Sequence, residues 1–243
     1  MNTKTVLITG ASRGIGQAIA IAFAREKYNI VITSSKSADE LEDTKKIITG
    51  MGAQCLDFLC DAGSYDDTQK MFEQINACFG GVDILINNAG ISYVGLLTDM
   101  TANDWNRIVS TNLSSVFNCC HQAIPHMVHQ NEGKIVNISS VWGCIGASCE
   151  VAYSATKGGV NSFTMALAKE LAPSNIQVNA IACGAIDTSM NSFLSPDEKT
   201  ALIDEIPSGR LGTTKEVADF VFEICHNNSY LTGQVIRLDG GWC

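Results

Sequence analysis

Short, almost continuously apolar segments recur along this chain, separated by longer segments with helical periodicity. The apolar runs are "TVLIT" (5–9), "NIVIT" (29–33), "QCLDFL" (54–59), "VDILIN" (82–87), "KIVNIS" (134–139), "IQVNAI" (176–181) and "QVIRLD" (234–239). A strand with one wet face alternates apolar and polar residues, whereas a strand covered on both faces need not. Helices are expected between the runs, at about 14–27, 38–50, 65–79, 102–130, 152–172 and 214–226. Strands joined by helix-sized crossovers pair in parallel, with right-handed connections. The expectation is an α/β fold with a doubly wound, seven-stranded parallel sheet flanked by helices. No linker or repeat divides it, so residues 1–243 read as one domain. The longest departure from the pattern, 187–212, is placed to act as a lid over the carboxyl ends of the strands, where such sheets bind ligands.

Charge and cysteine usage narrow the function classes. The net charge of −9 argues against nucleic acid or an anionic membrane as partner, because both need a basic footprint. No run approaches the length of a membrane span, and "MNTKTVLITG" enters a strand without a tripartite leader, so a cytoplasmic enzyme is expected. The ten cysteines show no C-x-x-C pair and no zinc spacing, so no metal site is expected. They read as reduced thiols serving as small core hydrophobes, with Cys144 and Cys149, near "YSATK", the candidates for another role.

"TGASRGIG" follows the first strand and opens a helix carrying Ile15, Ile19, Ala22 and Phe23. Gly10 permits the turn, and Gly14 and Gly16 let backbone amides approach a pyrophosphate at the helix N-terminus. Ser12, Arg13 and Ile15 belong to the same loop. "GASRG" also matches a hydrolase elbow with Ser12 as nucleophile, but that chemistry needs an acid and then a histidine in chain order. His121, His126 and His129 share one predicted helix, and His226 lies in a polar turn. The phosphate-loop reading is therefore preferred, and with it a Rossmann-type dinucleotide site. An NAD site places an acid at the end of the second strand to accept from the ribose 2′-hydroxyl. Here Ser34 occupies that place and no acid follows until Asp39, while Arg13 and Lys36 are positioned to pair with a 2′-phosphate. NADP(H) is the expected cofactor.

"YSATK" carries two readings. As S-x-x-K it offers Ser154 and Lys157 to acyl transfer, but the companion S-D-N and K-T-G elements are missing from the sequence. As Y-x-x-x-K it sets Tyr153 one helical turn from Lys157, on the face of Val160, Leu167 and Leu171, with Ser154 about 100° away. Taken with "NNAG" (87–90), "TNL" (111–113), "ISS" (138–140) and "CGAIDT" (183–188), in this order, the chain resembles the short-chain dehydrogenase/reductase family over essentially its whole length. The resemblance implies a tetrad of Asn112, Ser140, Tyr153 and Lys157, with Ser139 facing the other side of its strand. It implies that Tyr153 protonates a ketone oxygen as hydride arrives at the carbon, with Ser140 hydrogen-bonding that oxygen. Lys157, beside the nicotinamide, would lower the phenol's pKa, and Asn112 would anchor a relay water. It further implies that Asp61 meets the adenine and that Asn87, Ala89 and Gly90 line the adenosine side. Gly184, Ile186 and Thr188 would meet the nicotinamide end and the pyrophosphate. Cys183 stands where the family usually has proline, which would loosen the backbone there. A homotetramer is implied, built on helices near 102–130 and 152–172 and on the terminal "GGWC".

For the substrate the resemblance divides. Bacterial 3-oxoacyl-[acyl-carrier-protein] reductases dock an acidic carrier on basic residues at the mouth of the site. The corresponding segments here, "HMVHQNEGK" and "LAPSNIQ", offer only Lys134 as a fixed positive charge. "ASCEVAYSATKGG", "LAKELAPSNI" and "DGGW" also resemble elongation factor P 5-aminopentanone reductases, which would place Glu150 in the substrate pocket. Other small ketones or hydroxysteroids, and a non-catalytic NADP(H) sensor, are further alternatives on the same fold.

Overall fold

The computed structural model describes residues 3–191 and 194–243. Its strands are β1 (Thr5–Ile8), β2 (Asn29–Ser34), β3 (Cys55–Leu59), β4 (Ile84–Asn87), β5 (Gly133–Ser140), β6 (Ile176–Cys183) and β7 (Val235–Leu238). They form one all-parallel sheet in the order β3-β2-β1-β4-β5-β6-β7. The helices are α1 (Gly14–Arg25), α2 (Ala38–Gly50), α3 (Tyr65–Phe79), α4 (Ala102–Val109), α5 (Ser115–Gln130), α6 (Trp142–Ile145), α7 (Val151–Leu171), α8 (Pro196–Glu205) and α9 (Thr214–His226).

Strand alternation explains why the runs are continuously apolar. Val6, Ile8, Ile84 and Ile86 pack into one core with Ile19 and Phe23 of α1, Leu41 of α2 and Val221 of α9. Leu7, Leu85, Ile135 and Val178 point the other way, onto Met71 and Phe72 of α3, Cys119 of α5 and Val160 of α7. The central strands β1, β2, β4, β5 and β6 thus bury both rows of side chains, while the edge strands β3 and β7 are only partly covered. Each buried aliphatic side chain contributes roughly 1.5–3 kcal/mol against the entropy of ordering the chain. The strand order reverses direction between β1 and β4. That switch point opens a crevice at the carboxyl ends of the strands.

Two segments depart from the sequence expectation. The single helix expected over 102–130 is split by a π-helical turn at Ser110–Ser114, which leads directly into α5. A π turn is rare and costs regular hydrogen bonding. Here the buried Asn112 on that turn binds the backbone of Ile91, accepting from its N–H at 2.8 Å and donating to its carbonyl at 2.9 Å. The expected lid, 187–212, holds α8 and a 3-10 turn at Ser189–Asn191. Its base is closed where Asp187 N–H donates to the Gly212 carbonyl (2.8 Å) and Gly212 N–H to the Ala185 carbonyl (2.9 Å). A capping box between Ser195 and Glu198 starts α8.

Candidate active site

The glycine loop is held by packing that leaves no room for side chains. Gly10 has φ +64°, and a Cβ on it would stand 2.9 Å from the Ala89 Cα. A Cβ on Gly16 would stand 2.4 Å from the Gly10 carbonyl oxygen and 2.6 Å from Asn88 Nδ2. Asn88 clamps the loop by donating to the carbonyls of Thr9 and Gly10, both at 2.9 Å. The Thr9 hydroxyl accepts in return from Asn88 N–H and Ala89 N–H, both at 3.0 Å. The first turn of α1 has no side-chain cap and no acidic residue, so its amides are left to an anion. Gly14, also at positive φ (+62°), lies across from Thr188. These features fit the pyrophosphate of a dinucleotide.

At the adenosine end, Ser34 is buried and its hydroxyl accepts from Ser37 N–H at 3.1 Å, while Lys36 is exposed. Arg13 donates to Glu40 (2.5 Å), to Ser37 Oγ (3.2 Å) and to Ser189 Oγ (3.2 Å). Ser12 is buried, its carbonyl accepting from the Thr44 hydroxyl at 3.0 Å. Asp61 is exposed and accepts from Gly63 N–H at 2.9 Å.

Two residues of "NNAG" are placed otherwise than expected. Asn87 turns away from the loop and donates to Asn137 Oδ1 at 2.8 Å on the α5/α7 side of the sheet. Successive strand residues face opposite sides, so it is Asn88 that reaches the loop. Gly90 lies toward the catalytic end: a Cβ there would be 3.5 Å from Lys157 Nζ and 3.6 Å from Asn112 Oδ1.

A cavity of about 280 Å³ lies at the ends of β4, β5 and β6, walled by Ser140, Tyr153, Lys157, Ile15, Gly90, Gly184, Ile186 and Thr188 among others. Residues 153 and 157 share the inward face of α7 because they are one turn apart, and both are buried. The Ser140 hydroxyl faces the same cavity as the Tyr153 phenol and accepts from Trp142 N–H at 3.2 Å. Ser139 donates instead to Asn161 Oδ1 at 2.6 Å. Lys157 Nζ donates to the Ile138 carbonyl at 2.7 Å and lies 5.7 Å from the centre of the Tyr153 ring. Asn112 completes the group through Thr156, to which it donates at 3.3 Å. Ser154 is turned aside, accepting from Ala147 N–H at 3.1 Å.

Burial governs the protonation of both groups. It pushes the Tyr153 phenol above its ordinary value; Ser140 opposes this, and Glu150 and Cys183 add to it. Burial also pushes Lys157 down to about 8. Desolvation penalises either charge here, and among the described residues no carboxylate is paired with the lysine. Cys183 ends β6 in register with Ser140 and Leu238. A Cβ on Gly184 would meet Asp239 at 2.7 Å. Cys144 is exposed and Cys149 partly so; all ten cysteines are free thiols.

The outer wall holds residues that sequence reasoning did not assemble. Trp142 and Trp242, 100 positions apart, meet edge to face with ring centres 4.8 Å apart. Glu150 lines the same wall and accepts from Ser92 Oγ at 2.7 Å. Met190, Leu194 and Leu202 add an apolar side from the segment 187–212. Asn88 had a legible signal, the strand alternation, but the tryptophan pair had none.

Comparison with known proteins agrees with this geometry. Residues 4–199 match the short chain dehydrogenase family. The chain is 37% identical over 239 residues to 3-oxoacyl-[acyl-carrier-protein] reductase FabG of Staphylococcus epidermidis, covering 98% of each chain. It is 40% identical over 243 residues to the uncharacterized oxidoreductase YmfI of Bacillus subtilis, again covering 98% of each. A crystal structure assigned as a short-chain alcohol dehydrogenase from Sinorhizobium meliloti superimposes with a TM-score of 0.93 at 34% identity, covering 100% of this chain and 97% of that one.

Proposed function

The chain belongs to the short-chain dehydrogenase/reductase family of oxidoreductases, and we propose that it reduces a ketone to a secondary alcohol with NADP(H), using Tyr153 as the acid. The observation that carries this reading is the meeting of Ser140, Tyr153, the buried Lys157 and the glycine cradle at one crevice. A bound nicotinamide supplies the hydride. Ser140 and Tyr153 hold the carbonyl oxygen, and the raised phenol keeps its proton until negative charge develops there. Lys157 ties the tyrosine helix to β5 and Asn112 ties it to the loop after β4, so the donor does not have to be reorganised during the reaction. Arg13 and Lys36, with an uncharged Ser34 between the loop and α2, support a 2′-phosphate over a bare ribose.

The named relatives support a 3-oxoacyl thioester as the ketone. A second reading, an amine-bearing ketone such as a 5-aminopentanone carried on elongation factor P, is favoured by Glu150. Its carboxylate, beside two indoles, suits an ammonium. Lys134, the one fixed positive charge in the expected carrier-docking segments, lies near the start of β5, at the end of the strand opposite Ser140 and roughly 20 Å from the site. It therefore gives an acidic carrier no contact at the mouth. The test is an NADPH-oxidation assay comparing acetoacetyl thioesters with ketone-modified elongation factor. Tyr153→Phe should reduce turnover of whichever is accepted by at least about 10²-fold while leaving NADPH affinity unchanged; substantial residual turnover would refute the tyrosine mechanism. We also read the chain as a homotetramer, supported by exposed apolar side chains on the helices expected to pair: Trp105, Phe117 and Val128 on α4 and α5, and Val151 and Met165 on α7.

A further inference from the structure

The guanidinium expected to receive the 2′-phosphate already has a partner in this chain. Arg13 Nη1 donates to Glu40 Oε2 at 2.5 Å, and the same side chain donates to Ser37 and Ser189, each at 3.2 Å. Glu40 lies in the first turn of α2 beside Asp39, and Lys36 lies just before that helix. Two cations, Arg13 and Lys36, are thus matched by two anions, Asp39 and Glu40. An entering phosphate dianion meets little net positive charge until Glu40 gives up its hold. The ion pair is half exposed, with side-chain accessibilities of 54% and 48%, so it can open without unpacking the core.

We propose that Glu40 is an internal competitor for the 2′-phosphate: it occupies Arg13 in the free chain and sets how strongly the chain distinguishes phosphorylated from unphosphorylated adenosine ribose. This rests on the NADP(H) reading and adds a residue to it. Displacing Glu40 leaves Arg13 free to form a charge-assisted contact with the phosphate and carries one negative charge away from it. Glu40→Gln keeps the shape and helix position while removing the charge.

The test is calorimetric titration of the full chain with adenosine 2′,5′-bisphosphate and with adenosine 5′-monophosphate, which differ only in the 2′-phosphate and require no turnover. Glu40→Gln should tighten binding of the bisphosphate about fivefold, equivalent to about 1 kcal/mol, and leave the monophosphate unchanged. In an Arg13→Ala background the same substitution should lose most of that gain. Weaker or unchanged bisphosphate binding, an equal gain for both ligands, or an undiminished gain without Arg13 would each overturn the proposal. The wild-type chain tests the cofactor reading separately. If it binds the bisphosphate no better than the monophosphate, the NADP(H) assignment falls, while a Glu40→Gln variant that then gains the preference through Arg13 still supports the competitor.

Discussion

At the residue scale, Lys157 is a consequential charge because it is buried and, among the described residues, has no acidic partner. Its pKa, near 8 in the folded chain against an ordinary value of 10.5, means that the unfolded chain binds more protons between those values. The sign follows: the cost of burying the ammonium is present in full below pH 8 and is relieved as pH rises toward about 10.5. Lys157→Met should therefore be more stable than the wild type at pH 7, by about 2–3 kcal/mol less whatever the unpaired Ile138 carbonyl costs. The gap should narrow toward pH 10 in urea titrations; a gap independent of pH would show that burial does not set this pKa. The comparison must be between variants, because buried thiols such as Cys120, Cys183 and Cys225, all pushed up to about 12, lower the stability of both proteins in alkali.

At the scale of elements, the junction of β1, α1 and the segment after β4 is the tightest part of the site. Alanine is ordinarily better than glycine inside a helix by roughly 1 kcal/mol. Gly16 inverts that rule, because its Cβ would press on the Gly10 carbonyl and on the Asn88 clamp. Gly16→Ala should lower the melting temperature and weaken NADPH binding by at least about tenfold, as followed by nucleotide fluorescence. A stabilised variant with unchanged affinity would mean that the loop can open at no cost. The π turn follows the same logic: two hydrogen bonds from Asn112 to Ile91 hold an irregular backbone against α7, and the loop leaving β4 is anchored as a result.

At the scale of the whole molecule, the two cores hold the sheet rigid while its carboxyl edge is left to loops, α6 and the segment 187–212. Among the described residues no helix is long and apolar enough to cross a membrane, so the exposed aromatic and aliphatic residues on α4, α5 and α7 call for another explanation. Pairing between copies of the chain would cover them. Light scattering should return about four times the chain mass of 26.0 kDa. Charge substitutions at Phe117 and Met165 should shift the mass toward smaller species; a monomeric wild type would remove the assembly reading.

Much of this protein was legible in the sequence because the relevant physics is local. Runs apolar at every position imply strands covered on both faces, and helix-sized spacings imply a parallel sheet. A spacing of four positions from Tyr153 to Lys157 places them on one face of a helix whatever surrounds it. The tertiary structure decided what depends on distant chain segments meeting. It brought Trp142 to Trp242 and Glu40 to Arg13. It also decided the protonation of Tyr153 and Lys157. Desolvation belongs to the assembled surroundings of a group, and neither residue type nor spacing carries it.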